Sequence, residues 1–295
     1  MSIKLGIIGG DKREKVMLDI LSGKGFSLNV LSDSSLFSDS IDGRDKIYYY
    51  KDLEKIIDDS DVIIAPMSST DENCRLKATF INEDIYLDEK FFNKIAAEKG
   101  KKFVIGIARD KVKKQLESRN IKYFELARLD DIAIFNAIPT AEGAIKIAIE
   151  ETDFTLFNSN ILTFGLGKVG LTLAWRLKML GANSYAVTRN EAAAARGSDL
   201  GLNMLTYDRL DALFPQIDII FNTVPALIIT EDEINKCKSN TLIIDLASAP
   251  GGVDFDAADK KNIRAILALG LPGKVAPMTA GKILADKIPK LLETV

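Results

Sequence analysis

The sequence predicts an α/β chain made of two doubly wound units joined by two connecting helices. Three observations predict this fold class. Short apolar runs alternate with charged stretches of helical periodicity along the chain, which is the pattern of parallel sheets covered by helices on both faces. The 295 residues, 47% of them hydrophobic, are about twice the commonest domain size. A glycine-rich turn follows a strand-like run near the middle of the chain.

Two series of strand-like runs support the fold class. The first series is Ile3–Ile8, Ser27–Leu31, Val62–Ala65 and Phe103–Ile107. The second series begins at Asn160 and continues through Ser184–Thr188, Ile217–Asn222, Thr241–Leu246 and Ile263–Ala268. Because helical patterns separate these runs, each series is expected to form its own parallel sheet with crossover helices.

Two proline-initiated helices are predicted to connect the units. Pro139 precedes an Ala- and Ile-rich run that ends at Glu151, and proline is favoured at the first position of a helix. We therefore predict an α/β substrate domain over residues 1–151 and a second domain over residues 152–276. The carboxy-terminal helix, residues 277–295, is predicted to pack back on the first domain.

The composition argues against several classes of function. The net charge is only −3, without long blocks of like charge, so neither nucleic acid nor a membrane is expected as a partner. No apolar run is expected to reach the ~20 residues that span a bilayer. Cys74 and Cys237 lack metal-site spacing, so we interpret both as buried thiols in a reducing compartment and expect no metal. The amino terminus lacks the pattern of a secretory signal, which favours a cytoplasmic location.

Histidine is absent from the sequence. The side chain that most often serves as general acid or base is therefore missing. Any proton transfer must use Lys, Asp, Glu, Tyr, Ser or water.

A glycine-rich turn carries the strongest functional signal. Its residues are Gly165, Leu166, Gly167, Lys168, Val169 and Gly170, and they follow the strand-like run Asn160–Phe164. The first glycine permits a tight turn, the second lets a pyrophosphate approach the backbone, and the third lets helix and strand pack closely. The helix amino terminus adds NH donors and a positive dipole end. The turn thus predicts a Rossmann-type NAD(P)-binding domain, with a glycine turn that binds no ligand as the alternative.

The end of the next predicted strand indicates which cofactor binds. An acidic residue there would bind the ribose hydroxyls of NAD, but this chain has Thr188 and Arg189, followed by Arg196. A hydroxyl and guanidinium groups suit a 2'-phosphate. We therefore predict NADP(H), with NAD as the second choice. The alternative is that the arginines simply lie on a solvated helix.

A second glycine-rich segment near the amino terminus, Gly6 to Asp11, departs from the spacing of a nucleotide-binding turn. Asp11 would place a carboxylate where the pyrophosphate belongs. We predict that Asp11 is a helix cap rather than part of a second nucleotide site.

Three further segments follow predicted strands, where open parallel sheets bind their ligands. Ser68, Ser69 and Thr70 are predicted to bind a substrate carboxylate, with an ordinary polar loop as the alternative. The second segment, Asn222, Thr223, Val224 and Pro225, is predicted to form a wall around the nicotinamide ribose. The third runs from Gly270 to Pro277.

The most distinctive segments of the chain are Asp131–Gly143, Asp245–Gly252, Gly270–Gly273, Val275–Pro277 and Thr279–Gly281. Together they resemble the dipicolinate synthase A-subunit family, and the resemblance runs from Ile7 to the last helix. It implies an enzyme that oxidises a dihydrodipicolinate to pyridine-2,6-dicarboxylate in the mother cell of a spore-forming bacterium. It also implies a flavoprotein-like B subunit as partner and leaves a homo-oligomer open.

The demands of the implied reaction indicate which residues are candidates to act on the substrate. Ring oxidation gains aromaticity and needs no strong base, so the enzyme chiefly has to hold a dicarboxylate against the cofactor. The family commonly has a lysine where this chain has Met278 and an aliphatic residue where it has Lys274. Lys274 is the candidate replacement cation, and Asn136 and Thr140 are further candidate ligands. Glu142 is the candidate proton acceptor, with a helix-start carboxylate as the alternative.

Two other functions stay open at this point. The chain could oxidise another small carboxylate, because shikimate dehydrogenase-like and 2-hydroxyacid dehydrogenase-like proteins share the two-domain plan. The latter usually rely on histidine, which this chain lacks. The third interpretation is a non-catalytic NADP-binding subunit. Turnover by the purified chain together with its B subunit would distinguish this interpretation from the other two.

Overall fold

Residues 3–32, 46–79 and 82–293 are described by the structure, a computed structural model. The chain forms two units: unit 1 comprises Met1–Ala133 and Ala276–Val295, and unit 2 comprises Ile134–Val275. Each unit contains one six-stranded sheet. The chain therefore passes between the units twice.

Unit 1 contains the strands β1 Lys4–Ile7, β2 Ser27–Leu31, β3 Ile47–Tyr50, β4 Val62–Ile64, β5 Lys102–Ile105 and β6 Lys122–Glu125. Its helices are α1 Lys12–Gly23, α2 Leu53–Asp59, α3 Glu89–Ala97, α4 Asp110–Ser118 and the carboxy-terminal Pro277–Glu293, which is α12 in chain order. All strands pair in parallel in the order β3-β2-β1-β4-β5-β6.

Alternating side chains of β1 and its neighbours build a core on each face of this sheet. Leu5 and Ile7 pack against the face that α1 and α12 cover, where Ile288 is fully buried. The other face packs against α2, α3 and α4, and there the rings of Phe91 and Phe92 meet edge to face. Because α12 packs along α1, the end of the chain belongs to the first unit.

Unit 2 contains β7 Asn160–Phe164, β8 Asn183–Val187, β9 Asn203–Leu205, β10 Ile219–Asn222, β11 Leu242–Asp245 and β12 Arg264–Leu267. Its helices are α5 Asp130–Glu150, which starts in the last residues of unit 1, α6 Lys168–Met179, α7 Glu191–Asp199, α8 Leu210–Leu213, α9 Glu231–Lys236, α10 Phe255–Lys260 and α11 Leu271–Val275.

The second sheet repeats the topology of the first. Its order is β9-β8-β7-β10-β11-β12, again with parallel pairs throughout. In both units the strand order reverses next to the first strand, between β1 and β4 and between β7 and β10, and ligands of this fold bind at that switch point. The register pairs Phe164 with Asn222, so the turns that follow β7 and β10 lie side by side. The predicted fold class is confirmed.

The boundary between the units differs from the predicted one. It falls between Ala133 and Ile134, not after residue 151. Pro139 does not start a helix, because α5 begins at Asp130 and continues through it. The acidic first turn favours that earlier start, and Ala141 and its neighbours pack into the core of unit 2. The other predicted start, at Pro277, is correct.

The strands that the sequence analysis missed are β3, β6 and β9. Each lies at the edge of its sheet and is only partly buried, as in the half-exposed β3. Continuous apolar runs mark strands that are covered on both faces, so an edge strand of mixed polarity lacks that signal.

Helix α5 contradicts one expectation from composition. Among the residues that the structure describes, it is the one helix long and apolar enough to cross a membrane, with 21 residues and a mean hydropathy of 1.4. A core helix of a globular protein meets the same criterion. In α5, 39% of the apolar window is buried, with Ala144 and Ala148 fully buried and Ile134 and Phe135 exposed. Pro139 and charged residues interrupt the apolar run, so the sequence pattern does not show it as continuous.

The two cysteines are free thiols. Cys237 is buried as expected, and burial raises the pKa of its thiol to about 11. Cys74 is only partly buried, contrary to the expectation; it lies in a loop and packs against the edge of a core of unit 1.

Candidate functional site

The glycine turn after β7 has the geometry that a dinucleotide needs. Gly165 has a φ of +83°, and a side chain there would meet Thr223 Oγ1 at 2.7 Å. A Cβ on Gly170 would lie 1.9 Å from the carbonyl oxygen of Gly165. By contrast, a Cβ on Gly167 would meet nothing within 4 Å. The outer glycines are therefore required by packing, whereas Gly167 faces the open space where a pyrophosphate approaches the backbone.

The amino terminus of α6 is available to an anion. Its N-cap is Gly167, which supplies no side-chain cap, and the first turn contains no acidic residue. The backbone NH groups of the first turn and the dipole of the helix therefore favour a phosphate at this end. Lys168 and Val169 begin the helix, whereas the side chain of Leu166 is buried with Leu202. Leu166 can therefore contact a cofactor only through its backbone.

The corresponding turn in unit 1 is closed by the protein itself. Asp11 caps α1 and accepts the NH of Arg13 at 2.9 Å, which confirms its predicted role. The buried carboxylate of Glu14 accepts the NH of Asp11 at 2.8 Å and the NH of Met67 at 2.9 Å. Burial raises the pKa of Glu14 to about 7. The carboxylate of Glu14 thus takes the position that an anionic ligand would need at this helix.

The end of β8 presents cations and no carboxylate. Thr188 is partly buried, and Arg189 and Arg196 are exposed. The guanidinium of Arg189 lies 5.8 Å from the ring centroid of Tyr207, and in the described part of the chain it forms no ion pair. A cation–π contact holds the group over the ring while leaving its NH donors for a phosphate. Tyr207 was missed because it is distant in sequence.

The turn after β10 lies directly against the glycine turn. The Thr223 hydroxyl is within hydrogen-bonding distance of the carbonyl oxygens of Phe164 (2.9 Å) and Gly165 (3.2 Å). Val224 is partly exposed and Pro225 is exposed, so these residues remain candidates for lining a nicotinamide. The two turns are therefore neighbours at the switch point, as their predicted shared role requires.

Asn222 differs from that prediction, because its side chain is fully buried. Its amide donates to the Val224 carbonyl at 3.0 Å and to Asp245 at 2.8 Å, and its oxygen accepts the Val224 NH. The side chain therefore shapes the turn and does not face a cofactor. The carboxylate of Asp245 also accepts the NH groups of Ala247 and Gly252. The position of Asp245 at the end of a predicted strand could have identified it.

Two of the three predicted carboxylate ligands after β4 are already committed. The hydroxyl of Ser69 donates to the Ile107 carbonyl, and that of Ser68 donates to the Lys77 carbonyl at 3.0 Å. A hydroxyl has only one proton to donate, so these two serines do not offer donors to a carboxylate in this conformation. Thr70 is fully buried, and its hydroxyl has no hydrogen-bond partner among the described residues. The loop folds back through a bridge between Thr70 and Leu76, which the sequence did not indicate.

The three candidate residues on α5, Asn136, Thr140 and Glu142, differ in burial and in hydrogen bonding. Thr140 donates its hydroxyl to the carbonyl of Asn136 at 2.7 Å, so its proton is used within the helix. The partly buried Asn136 has no hydrogen bond from its amide among the described residues. Glu142 is exposed in the middle of the helix, so the alternative of a helix-start carboxylate is wrong.

Lys274 is exposed on α11 and has no ion pair within the described residues of unit 2. Helix α11 packs on α5 at Gly143, where a Cβ would meet Val275 at 3.0 Å and Leu271 at 3.1 Å. The structure thus places the elements that carry Lys274 and Glu142 side by side. Met278 is also exposed and belongs to unit 1.

The residues at the β7/β10 switch point fit a dinucleotide. Gly167 leaves space for the pyrophosphate, the α6 amino terminus supplies its NH groups, and Arg189 can meet a charged ribose substituent. A parallel sheet with this strand order and this turn defines a Rossmann-type nicotinamide-dependent oxidoreductase.

Comparison with known proteins identifies the family. Residues 4–127 match the model of the N-terminal domain of the dipicolinate synthase A subunit, and residues 141–257 match that of the D-isomer specific 2-hydroxyacid dehydrogenase NAD binding domain. The chain is 36% identical to the A subunit of dipicolinate synthase from Bacillus subtilis (strain 168) over 98% of its length and 96% of that protein. It belongs to the dipicolinate synthase A-subunit family.

Solved structures agree with this assignment. The crystal structure of the dipicolinate synthase A subunit from Bacillus halodurans superposes with a TM-score of 0.88 at 34% identity, covering 98% of this chain and 97% of that one. The crystal structure of the corresponding dipicolinate synthase chain from Bacillus subtilis gives a TM-score of 0.86 at 34% identity, covering 100% and 97%.

Proposed function

We propose that this chain is the A subunit of a dipicolinate synthase and that it oxidises a dihydrodipicolinate to pyridine-2,6-dicarboxylate with NADP⁺. The observation that carries the proposal is the identity of 36% with the A subunit of a dipicolinate synthase over 98% of the chain. An alignment of that length covers both units of the chain, unit 2 with the cofactor turn and unit 1. The resemblance of Asp131–Gly143 and Asp245–Gly252 to the family supports the same substrate.

The preference for NADP⁺ over NAD⁺ is part of the proposal. Its support is the cationic end of β8, where Arg189 is exposed over the ring of Tyr207 and no acidic residue stands at the strand end. A 2'-phosphate gains charge-assisted hydrogen bonds at such a site. The free ribose hydroxyls of NAD⁺ would lack the carboxylate that usually accepts from them.

The proposed chemistry asks little of an acid or base. When bound, the nicotinamide supplies the hydride acceptor, and the aromaticity of the product favours loss of the ring proton. The protein has to orient a dianion, and Lys274 is the proposed cation for one carboxylate. Asn136 is a proposed hydrogen-bonding group on α5, and the exposed carboxylate of Glu142 is the proposed proton acceptor.

The biological setting follows from the same resemblance and is proposed with it. The chain would act in the cytoplasm of the mother cell during sporulation, together with a B subunit that we expect to be flavoprotein-like. The Bacillus subtilis relative is named as one subunit of a synthase, which supports the existence of a partner.

A second candidate is oxidation of another small carboxylate. It is favoured by the match of residues 141–257 to the NAD binding domain of 2-hydroxyacid dehydrogenases. That match covers the cofactor-binding unit, however, and the absence of histidine removes the base that such enzymes usually employ.

The test is a turnover assay on the purified chain, alone and with its B subunit. Freshly generated dihydrodipicolinate, shikimate and 2-hydroxy acids are each supplied with NADP⁺ or NAD⁺. We expect reduction of NADP⁺ with dihydrodipicolinate and none with the other compounds. Reduction with a 2-hydroxy acid or shikimate alone would favour the second candidate. No turnover with any substrate, with or without the B subunit, would favour a non-catalytic role.

A further inference from the structure

A buried carboxylate lies at the end of β11. Asp245 is fully buried and forms no ion pair within the described part of unit 2. Its oxygens accept the Asn222 amide at 2.8 Å, the Ala247 NH at 3.0 Å and the Gly252 NH at 2.9 Å. Burying a carboxylate costs free energy, which these hydrogen bonds offset. The carboxylate thereby joins three separate points of the chain.

The Asn222 amide extends this network to the turn after β10. It also donates to the Val224 carbonyl at 3.0 Å, and its oxygen accepts the Val224 NH at 2.9 Å. Val224 in turn packs on the glycine turn, because a Cβ on Gly165 would lie 2.7 Å from its Cγ2 atom. Val224 is therefore held between the Asn222 amide and the glycine turn.

The same carboxylate closes the base of the loop that follows β11. It accepts the NH groups at the two ends of this loop, Ala247 and Gly252, while residues 248–250 between them are exposed. A Cβ on Gly252 would lie 2.2 Å from Asn222 Nδ2 and 2.6 Å from the Val224 carbonyl oxygen. The base of the loop thus packs directly on the turn after β10.

These two segments lie on one particular side of the cofactor turn. A sheet with this strand order binds one mononucleotide on each of its halves. In the half formed by β7, β8 and β9, the end of β8 carries Arg189, which we propose binds the adenosine 2'-phosphate. The other half begins with β10, which pairs with both β7 and β11. The nicotinamide half of the cofactor therefore belongs at the turns after β10 and β11.

We infer that Asp245 is a positioning residue for the nicotinamide ring. Because it is fully buried, it acts through the Asn222 amide and the Gly252 NH, which fix the turn after β10 and the loop after β11 relative to each other. The inference rests on the proposed dinucleotide cofactor. A hydride acceptor must be held in place, since a displacement of about 1 Å can cost roughly a hundredfold in rate.

The test compares two ligands on matched variants of the full chain. NADPH and 2'-phosphoadenosine 5'-diphosphoribose, which lacks the nicotinamide, are titrated by calorimetry. Asp245→Asn removes acceptor capacity without changing shape, and Asn222→Ala breaks the same link from the other side. Asp218→Asn is the control, because Asp218 accepts the Asn160 NH at 2.7 Å at the opposite edge of the same sheet. Urea unfolding and the fluorescence of bound NADPH are measured on each protein.

We expect Asp245→Asn and Asn222→Ala each to weaken NADPH binding about tenfold, within the range of coupling between residues of one hydrogen-bond network. Both should bind the nicotinamide-free ligand as the wild type does. The fluorescence of bound NADPH should shift towards that of free NADPH, because the ring is held less firmly. Asp218→Asn should leave both affinities unchanged even where it lowers the free energy of unfolding.

Equal losses for the two ligands, or wild-type NADPH affinity in a folded Asp245→Asn protein, would overturn the positioning role and leave the proposed function standing. Two variants that do not fold would also overturn it, because Asp245 would then be structural. So would equal affinities of the wild type for the two ligands, since the nicotinamide would then gain nothing from these segments. Failure of the wild type to bind NADPH would overturn the proposed cofactor and, with it, this inference.

Discussion

Gly167→Val separates cofactor binding from folding. Gly167 has a φ of −69°, which valine adopts without strain, and a Cβ there meets nothing within 4 Å. The substitution should therefore change the free energy of unfolding by no more than about 0.5 kcal/mol. The side chain would, however, occupy the space through which a pyrophosphate reaches the α6 amino terminus. Each hydrogen bond to a charged group contributes about 1.5–3 kcal/mol. Losing two of them weakens NADPH binding by at least about a hundredfold.

Gly170→Ala is the matched control for this experiment. Its Cβ would lie 1.9 Å from the carbonyl oxygen of Gly165, so the helix and strand must move apart. Overpacking of this kind costs about 1–3 kcal/mol. We expect Gly170→Ala to lose both stability and NADPH affinity, whereas Gly167→Val loses affinity alone. Both quantities follow from NADPH titration calorimetry and urea unfolding. Native NADPH affinity in a folded Gly167→Val protein would mean that the nucleotide binds elsewhere.

Three further predictions concern charged groups. The unmodified chain should bind NADPH more tightly than NADH, and Arg189→Asp should reverse this order, because a carboxylate repels the 2'-phosphate and accepts hydrogen bonds from ribose hydroxyls. Equal affinities for the two cofactors in the unmodified chain, measured by calorimetry, would refute this prediction. Lys274→Met should raise the KM for the substrate about tenfold to a hundredfold and leave NADPH affinity unchanged. The double variant Lys274→Ile with Met278→Lys should restore part of the lost catalytic efficiency. Full efficiency in the single variant would disprove the role of Lys274 as a substrate cation. Burial raises the pKa of Glu14 from 4.5 to about 7 in the folded chain, so the folded state binds the proton more tightly than the unfolded state. The free energy of unfolding should therefore fall by up to about 3 kcal/mol as the pH rises from about 4.5 to above 7. Glu14→Gln should remove that part of the slope in urea unfolding at several pH values, and an unchanged slope would contradict the assignment.

The geometry of the glycine turn was predictable because its signal is local. The three glycines of the turn after β7 lie within a few residues of one another; Gly165 and Gly170 are required by packing, and Gly167 faces open space. Asp11 was predictable for the same reason, since a helix cap is a contact between near neighbours.

The substrate residues were harder to predict because contacts between distant segments decide them. Ser69 lies at the end of a predicted strand, but its hydroxyl donates to Ile107 on the following turn, which no local pattern encodes. Thr140 shows the same difficulty within a helix, because a threonine hydroxyl bonds the carbonyl of the preceding turn. Pro139 predicts a helix start on local grounds, whereas burial of the α5 alanines keeps the helix continuous across it.

The most direct test of the account measures NADPH and pyridine-2,6-dicarboxylate together in one reaction. The purified chain, with and without its B subunit, is given dihydrodipicolinate and NADP⁺ in the absence of oxygen. The account predicts that the two products form in equal amounts and that the Gly167→Val chain forms neither above the uncatalysed rate. Formation of the dicarboxylate without NADPH, or at the same rate with Gly167→Val, would contradict it.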